Sequence, residues 1–196
     1  MTAARHSIAL LLLIAAFAPA EARAAGGRYV FVGGRDAARA QVRAALEASS
    51  FDWDVVRETV DTQIADCGCA GARPGLIVLD ERLLAKAPYG VAYTWSIVQH
   101  EYAHQVWDLA LDDRARAVLA DRLGGEGLCW EPELADDERT CERFADTLAW
   151  AYWRDPLNPS RYAKAMRAGP FRELMAGLLD RSAGLRLHDA AVRVIS

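Results

Sequence analysis

Ser96 to Asp108 reads SIVQHEYAHQVWD, and the two histidines in this stretch determine how the rest of the chain is interpreted. His100 and His104 are four residues apart, so on a helix they lie on one face and can point an imidazole nitrogen at the same ion. The residues between and around them are uncharged apart from Glu101, which predicts a helix buried beside its site. The alternative is a pair of core histidines whose nitrogens are satisfied by ordinary hydrogen bonds.

The spacing H-E-x-x-H predicts a zinc site that activates water. Neutral imidazole suits Zn²⁺, which takes three protein ligands when the fourth position is left to water. Glu101 follows the first histidine, where it can accept a proton from the zinc-bound water as a general base. We therefore predict His100 and His104 as metal ligands, Glu101 as the catalytic base, and one Zn²⁺ per chain.

The third ligand is predicted on a helix further along the chain, within Cys141-Glu-Arg-Phe-Ala-Asp146. Glu142 and Asp146 are four residues apart and share a helix face, which neighbouring apolar residues indicate is half-buried. Glu142 is predicted to bind the metal, and Asp146 to accept a hydrogen bond from the free ring N–H of one histidine. The alternative for Glu142 is a solvated helix carboxylate.

This combination of HExxH with a downstream Glu-x-x-x-Asp resembles the gluzincin branch of the zincin metallopeptidases, and residues 74–153 are similar to small bacterial proteins with a minimal zincin core. The resemblance implies a small mixed sheet over the active-site helix, with an edge strand that aligns an extended substrate, here Leu76 to Leu79. The chain does not resemble the metzincin branch, because Gln105 to Leu111 holds no third histidine. It also departs from the compact members, because 38 positions and a Cys129-containing loop separate His104 from Glu142.

A hydrolase of this type also needs a donor that stabilises the oxyanion. In the family this role falls to a histidine or tyrosine outside the motif. His188 is a candidate, although a surface histidine is the simpler interpretation. Four tyrosines remain equally available: Tyr89, Tyr93, Tyr152 and Tyr162.

The order of predicted elements gives an α+β fold in a single domain. Strands are predicted at Arg28 to Val32, Trp53 to Val60 and Leu76 to Leu79, giving a sheet of about three or more strands in residues 25–92. Residues 93–196 are predicted to be helical. The helices are predicted at Tyr93 to Leu111, from Asp112 or Asp113 to Leu123, at Asp137 to Trp153, and at Tyr162 to Leu179 with an interruption at Gly169-Pro170.

The N-terminus has the pattern of a secretory signal peptide. A short positive region precedes an apolar run from Ile8 to Ala18, and Ala22-Arg23-Ala24 forms a small-x-small cleavage site. We predict removal of residues 1–24 and a secreted protein, either extracellular or periplasmic, with no later membrane span. The alternative is a retained membrane anchor. The net charge of −4 and the lack of a basic cluster argue against nucleic acid as a partner.

Export changes the interpretation of the four cysteines Cys67, Cys69, Cys129 and Cys141. An even count outside the cell predicts two disulfides rather than a cysteine metal site. Three pairings are open. A direct Cys67–Cys69 bridge closes a very small ring, so the sequence favours pairing each of them with one of the other two.

The sequence thus predicts a secreted zinc metallopeptidase that hydrolyses an extended peptide or protein segment. Two other functions use the same residues. One is a zinc-bearing binding or structural domain without turnover, and the other is an amidase that acts on cell-wall peptides.

Overall fold

The computed structural model describes residues 27–85, 90–125 and 139–195, and the side chains of these residues except those of residues 85 and 184–195. The predicted signal peptide, Tyr89 and Cys129 lie outside the described residues. Among the helices that are described, none is long and apolar enough to cross a membrane.

The sheet contains four strands: β1 (Tyr29–Gly33), β2 (Val60–Ala65), β3 (Ala70–Arg73) and β4 (Leu76–Asp80). Their spatial order is β1-β2-β4-β3. The first two pairs are parallel and β3 runs antiparallel to β4, so the sheet is mixed. Helix α1 (Asp36–Ala48) connects β1 to β2, as a parallel pair requires. Together with the helical second half, this arrangement confirms the predicted α+β class.

Two features of the predicted sheet are wrong. Trp53–Val55 forms a short 3₁₀ turn instead of a strand, because the Asp52 side chain accepts the Asp54 N–H and the Trp53 indole donates inward to Leu46. The strand that follows starts only at Val60. In addition, β4 lies between β2 and β3, so it is not the predicted edge strand.

The edge position next to β4 in the described sheet is occupied by β3, a segment in which no strand is predicted. Its residues, Ala-Gly-Ala-Arg, have low strand propensity, and pairing with β4 through a tight turn supplies the order that the local sequence lacks. Gly75 in this turn has φ +77°, a conformation that glycine adopts without strain.

Helices occupy most of the remaining described residues. Helix α3 (Val91–Gln105) ends in a π-helical turn at Val106–Ala110, where Leu111 N–H donates to Val106 O over 3.1 Å. The predicted interruption at Gly169 and Pro170 is wrong, because both lie in the first turn of α7 (Ala168–Ile195), where proline is tolerated. The helices are α2 (Glu81–Ala85), α3 (Val91–Gln105), α4 (Asp113–Leu123), α5 (Thr140–Tyr152), α6 (Ser160–Ala163) and α7 (Ala168–Ile195).

The cysteine pairing differs from the predicted one. Cys67 and Cys69 form a disulfide with each other, with their Cα atoms 5.2 Å apart. Gly68 between them has φ +65°, and this turn brings the two cysteines together across a single residue. Cys141 is disulfide-bonded as well.

Helix α3 is buried on nearly all sides, and polar side chains attach it to its neighbours. Gln99 donates to Ala45 O in α1 over 2.7 Å, and the Tyr102 hydroxyl hydrogen-bonds Thr62 in β2 over 2.7 Å. Gln105 makes three hydrogen bonds to the β3–β4 turn: it accepts from Gly75 N–H and donates to the carbonyls of Arg73 and Leu76. These bonds fix the histidine-bearing helix against the sheet.

We expect Gln105→Met to lower the free energy of unfolding by about 2–4 kcal/mol, because it leaves backbone groups of the β3–β4 turn without a buried partner. Gln99→Met is a matched control: Gln99 is equally buried, but it makes one hydrogen bond, and its Oε1 has no partner among the described residues. Denaturant unfolding of both variants measures the difference. An equal loss in the two variants would contradict this role for Gln105.

Candidate metal centre

The candidate site lies between α3 and α5, which pack against each other. Helix α5 turns Phe144, Ala145 and Leu148 into the core, all with no exposed surface. This packing directs Glu142 and Asp146, on the neighbouring face of α5, toward the histidines of α3. The two segments are 38 positions apart in sequence and are brought together by the apolar face of α5.

Three side-chain atoms form a small triangle at this site. His100 Nε2 lies 3.2 Å from His104 Nε2 and 2.9 Å from Glu142 Oε2, and His104 Nε2 lies 3.5 Å from the same oxygen. His104 is only 7% exposed, whereas His100 and Glu142 are partly exposed. The three potential ligand atoms therefore converge at a partly open, half-buried position.

Asp146 holds a proton on one of the two ring nitrogens of His100. Its Oδ1 lies 3.0 Å from His100 Nδ1, and a carboxylate can only accept, so Nδ1 donates. In neutral His100 the Nε2 atom then has a lone pair that faces the Glu142 carboxylate and His104 Nε2. Such a convergence of electron-rich atoms is satisfied by a proton on one of the facing atoms or by a metal ion.

Burial and the contacts between histidines and carboxylates shift the pKa values of three groups at the site. Burial opposes charging of His100, but hydrogen bonds to Asp146 and Glu142 outweigh it and raise the pKa of His100 to about 10. Burial acts to raise the pKa of Glu142, yet hydrogen bonds with His100 and His104 hold that pKa far below its usual range. Burial raises the pKa of Glu101, and the nearby histidines oppose the rise only in part. In its metal-free form the site therefore favours a cation beside an ionised Glu142.

Two cavities adjoin the site and share His100, Asp146 and Ala163 in their walls. The first cavity has a volume of about 570 Å³ and includes Glu142. The second has a volume of about 390 Å³ and includes Glu101, so the predicted general base faces open space. The candidate ligands His100 and Glu142, like Glu101, therefore border open space.

The outer wall of both cavities is a segment that the sequence predicts only in part, since the helix predicted from Tyr162 covers its second half. Residues 159–165, which include α6, contribute to this wall. Asn158, fully buried, donates to Ala149 O and Trp153 O and accepts from Ser160 N–H. These bonds attach the wall to α5. The helix predicted from Tyr162 onward differs from this arrangement, because α6 begins at Ser160 and ends at Ala163.

Only some of the candidate oxyanion donors that are described lie in the walls of the two cavities. Tyr93 lines the second cavity and Tyr162 the first. Tyr152 instead packs edge-to-face on Phe51, with ring centroids 4.9 Å apart. His188 belongs to α7, and its side chain is not among those described. Tyr93 and Tyr162 are thus the described tyrosines that the fold brings to the site.

Among the described residues, His100, His104 and Glu142 form a group that could hold a metal ion, since their ligand atoms all lie within 4.8 Å of one another. Asp146 and Glu101 lie beside this group. Comparison of the chain with protein-family models, with curated proteins and with solved structures finds no match.

Proposed function

We propose that this protein is a zinc-dependent metallopeptidase that holds one Zn²⁺ on His100, His104 and Glu142. The observation that carries the proposal is the triangle of ligand atoms, with sides of 2.9, 3.2 and 3.5 Å. Tetrahedral zinc with bonds of about 2.0–2.1 Å separates neighbouring ligand atoms by about 3.3 Å. The side chains therefore stand close to the separation that zinc requires.

The composition of the group supports zinc in a catalytic role. Two imidazoles and one carboxylate are a ligand set of catalytic zinc, whereas a closed structural site uses four protein ligands. Within the described residues, the group has three members. Asp146 holds His100 in the tautomer whose Nε2 is free to bind, and such outer partners raise the basicity of the ligand.

The proposed chemistry divides between the ion and the protein. A zinc ion held there would act as a Lewis acid and lower the pKa of bound water to roughly 7. Glu101 would accept the proton of that water and pass it to the leaving amine. Its partial burial suits this task, since a raised pKa lets the protonated carboxyl act as an acid later in the reaction.

The edge strand and the cavity beside the site favour an extended peptide as the substrate. β3 lies at the end of the described sheet, and its first residue, Ala70, lines the cavity that contains Glu101. An edge strand presents unpaired backbone groups that can hydrogen-bond an extended chain. This strand takes the place that the sequence assigns to Leu76 to Leu79.

The test is to measure metal content and peptide cleavage on the same purified protein. We expect one zinc per chain and cleavage of a mixed peptide pool. A chelator should abolish cleavage, and added Zn²⁺ should restore it. Stoichiometric zinc without cleavage of any peptide would favour a zinc-bearing binding domain, or an amidase if cell-wall peptides are cleaved instead. Absence of bound metal would leave His100 as a hydrogen-bonded, positively charged core histidine and would overturn the proposal.

A further inference from the structure

We propose that Lys164 binds a carboxylate of the substrate in the first cavity, so that the protein prefers peptides with an acidic group close to the scissile bond. This inference rests on the proposed function and adds a substrate class to it. It starts from the lining of the first cavity, which includes Lys164 and Arg143 as well as the proposed ligands His100 and Glu142.

The backbone that carries Lys164 is fixed at both ends. Asn158 secures the start of the wall through its three hydrogen bonds to α5 and to Ser160. Immediately after Lys164, Ala165 N–H donates to Thr147 Oγ1 on α5 over 2.9 Å. Thr147 directly follows Asp146, so the same turn of α5 positions both the metal centre and Lys164. A cation on a fixed wall can select one position of the substrate.

Among the described residues, the Lys164 ammonium has orienting partners but no carboxylate partner. Its Nζ lies 5.3 Å from the centre of the Trp150 ring and also donates to Arg161 O. Within the described parts of the chain, it takes part in no ion pair with a carboxylate. The acidic groups of the cavity, Glu142 and Asp146, are instead paired with His100 at 2.9 and 3.0 Å. A carboxylate of the substrate can therefore pair with Lys164.

The second cavity has a different character. Apart from the site residues, its walls are small, apolar or uncharged, and they include Tyr93, Ile97 and Pro159. Neither lysine nor arginine is among the described residues that line it. A carboxylate there would face Glu101 and Asp146, and no described lysine or arginine lines that cavity to pair with it. The acidic group of the substrate should therefore enter the first cavity, and an apolar or small side chain should enter the second.

Binding of two matched probes to the zinc-loaded protein tests this inference without turnover. One is a four-carbon hydroxamate that ends in a carboxylate, and the other is the same molecule ending in a primary amide. Both can chelate the zinc, and only the first presents a negative charge. We expect calorimetry to show about fivefold tighter binding of the carboxylate probe, the effect of one partly exposed charge pair.

Lys164→Gln should remove this preference and leave the affinity of the amide probe unchanged. The matched control is Arg167→Gln, which removes an exposed positive charge that lines neither cavity and should preserve the preference. Equal binding of the two probes to the wild-type protein, or an unchanged preference in Lys164→Gln, would overturn the role of Lys164. Failure of both probes to bind would instead contradict the proposed zinc site.

Peptide pools show whether the carboxylate comes from an acidic side chain or from the C-terminus of the peptide. In pools with amidated C-termini, cleavage enriched for Asp or Glu near the scissile bond would assign the cavity to an acidic side chain. Enrichment only in pools with free C-termini would assign it to the terminal α-carboxylate. Both results support the inference if Lys164→Gln abolishes them, and cleavage without either preference contradicts it.

Discussion

Glu101→Gln should lower kcat for peptide cleavage by about 10²–10⁴-fold, the contribution of a positioned general base, while zinc remains bound at one ion per chain. The amide keeps the shape of the side chain but cannot accept a proton. Glu101 is 7% exposed and lines the second cavity next to His100, so the exchange leaves the packing of α3 in place. Because Glu101 is not among the three predicted ligands, metal affinity should change little.

The measurement combines steady-state cleavage of one peptide from the pool with metal analysis of the same samples. Glu173→Gln provides the same chemical exchange at an exposed position on α7 and should retain full activity. A Glu101→Gln protein that keeps more than about a tenth of the wild-type kcat would assign the general base to another group. A protein that also loses its zinc would show that Glu101 supports the ligands, and the activity loss would then carry no information about a base.

The site residues could be predicted from sequence because each belongs to a local helical pattern. His100 and His104, like Glu142 and Asp146, are four residues apart, and helix geometry alone places each pair on one face. The structure brings both pairs together through the apolar residues of α5, which the sequence also marks as buried. Helical periodicity cannot predict that the histidine pair and the carboxylate pair lie close together, because this contact depends on packing between distant segments.

The sheet and the cavity wall were harder to predict because their conformation also depends on contacts with other segments of the chain. β3 consists of small residues and arginine, and its strand conformation comes from pairing with β4 and from the bonds of Gln105 to the turn. The wall at residues 159–165 depends on Asn158, which donates to Ala149 O, and on Thr147, which accepts from Ala165 N–H; sequence periodicity does not indicate either bond. Cys67 and Cys69 bond directly because Gly68 adopts a positive φ. A glycine permits this conformation but does not require it, so the sequence alone does not predict the bond.

The second large effect concerns the third ligand, and we expect Glu142→Ala to abolish tight zinc binding. Glu142 supplies the only carboxylate of the candidate triangle, with Oε2 at 2.9 and 3.5 Å from the two histidine nitrogens. Its loss removes one of three ligands and the negative charge that compensates the ion. The affinity should therefore fall by more than the roughly 10–100-fold that follows loss of an outer-shell partner.

Asp146→Asn serves as the comparison, because it changes the partner of His100 Nδ1 and leaves all three ligands in place. Competition with a chromophoric chelator gives the zinc affinity of both variants, and thermal unfolding with and without Zn²⁺ gives an independent measure. A ligand that binds only the folded protein at 100 times its Kd stabilises it by about 2.7 kcal/mol. This zinc-dependent stabilisation should be present in the wild type, reduced in Asp146→Asn and absent in Glu142→Ala. If Glu142→Ala keeps the affinity and stabilisation of the wild type, the zinc is bound without this carboxylate. The convergence of Glu142 on the histidines would then be a hydrogen-bonded cluster rather than a metal centre.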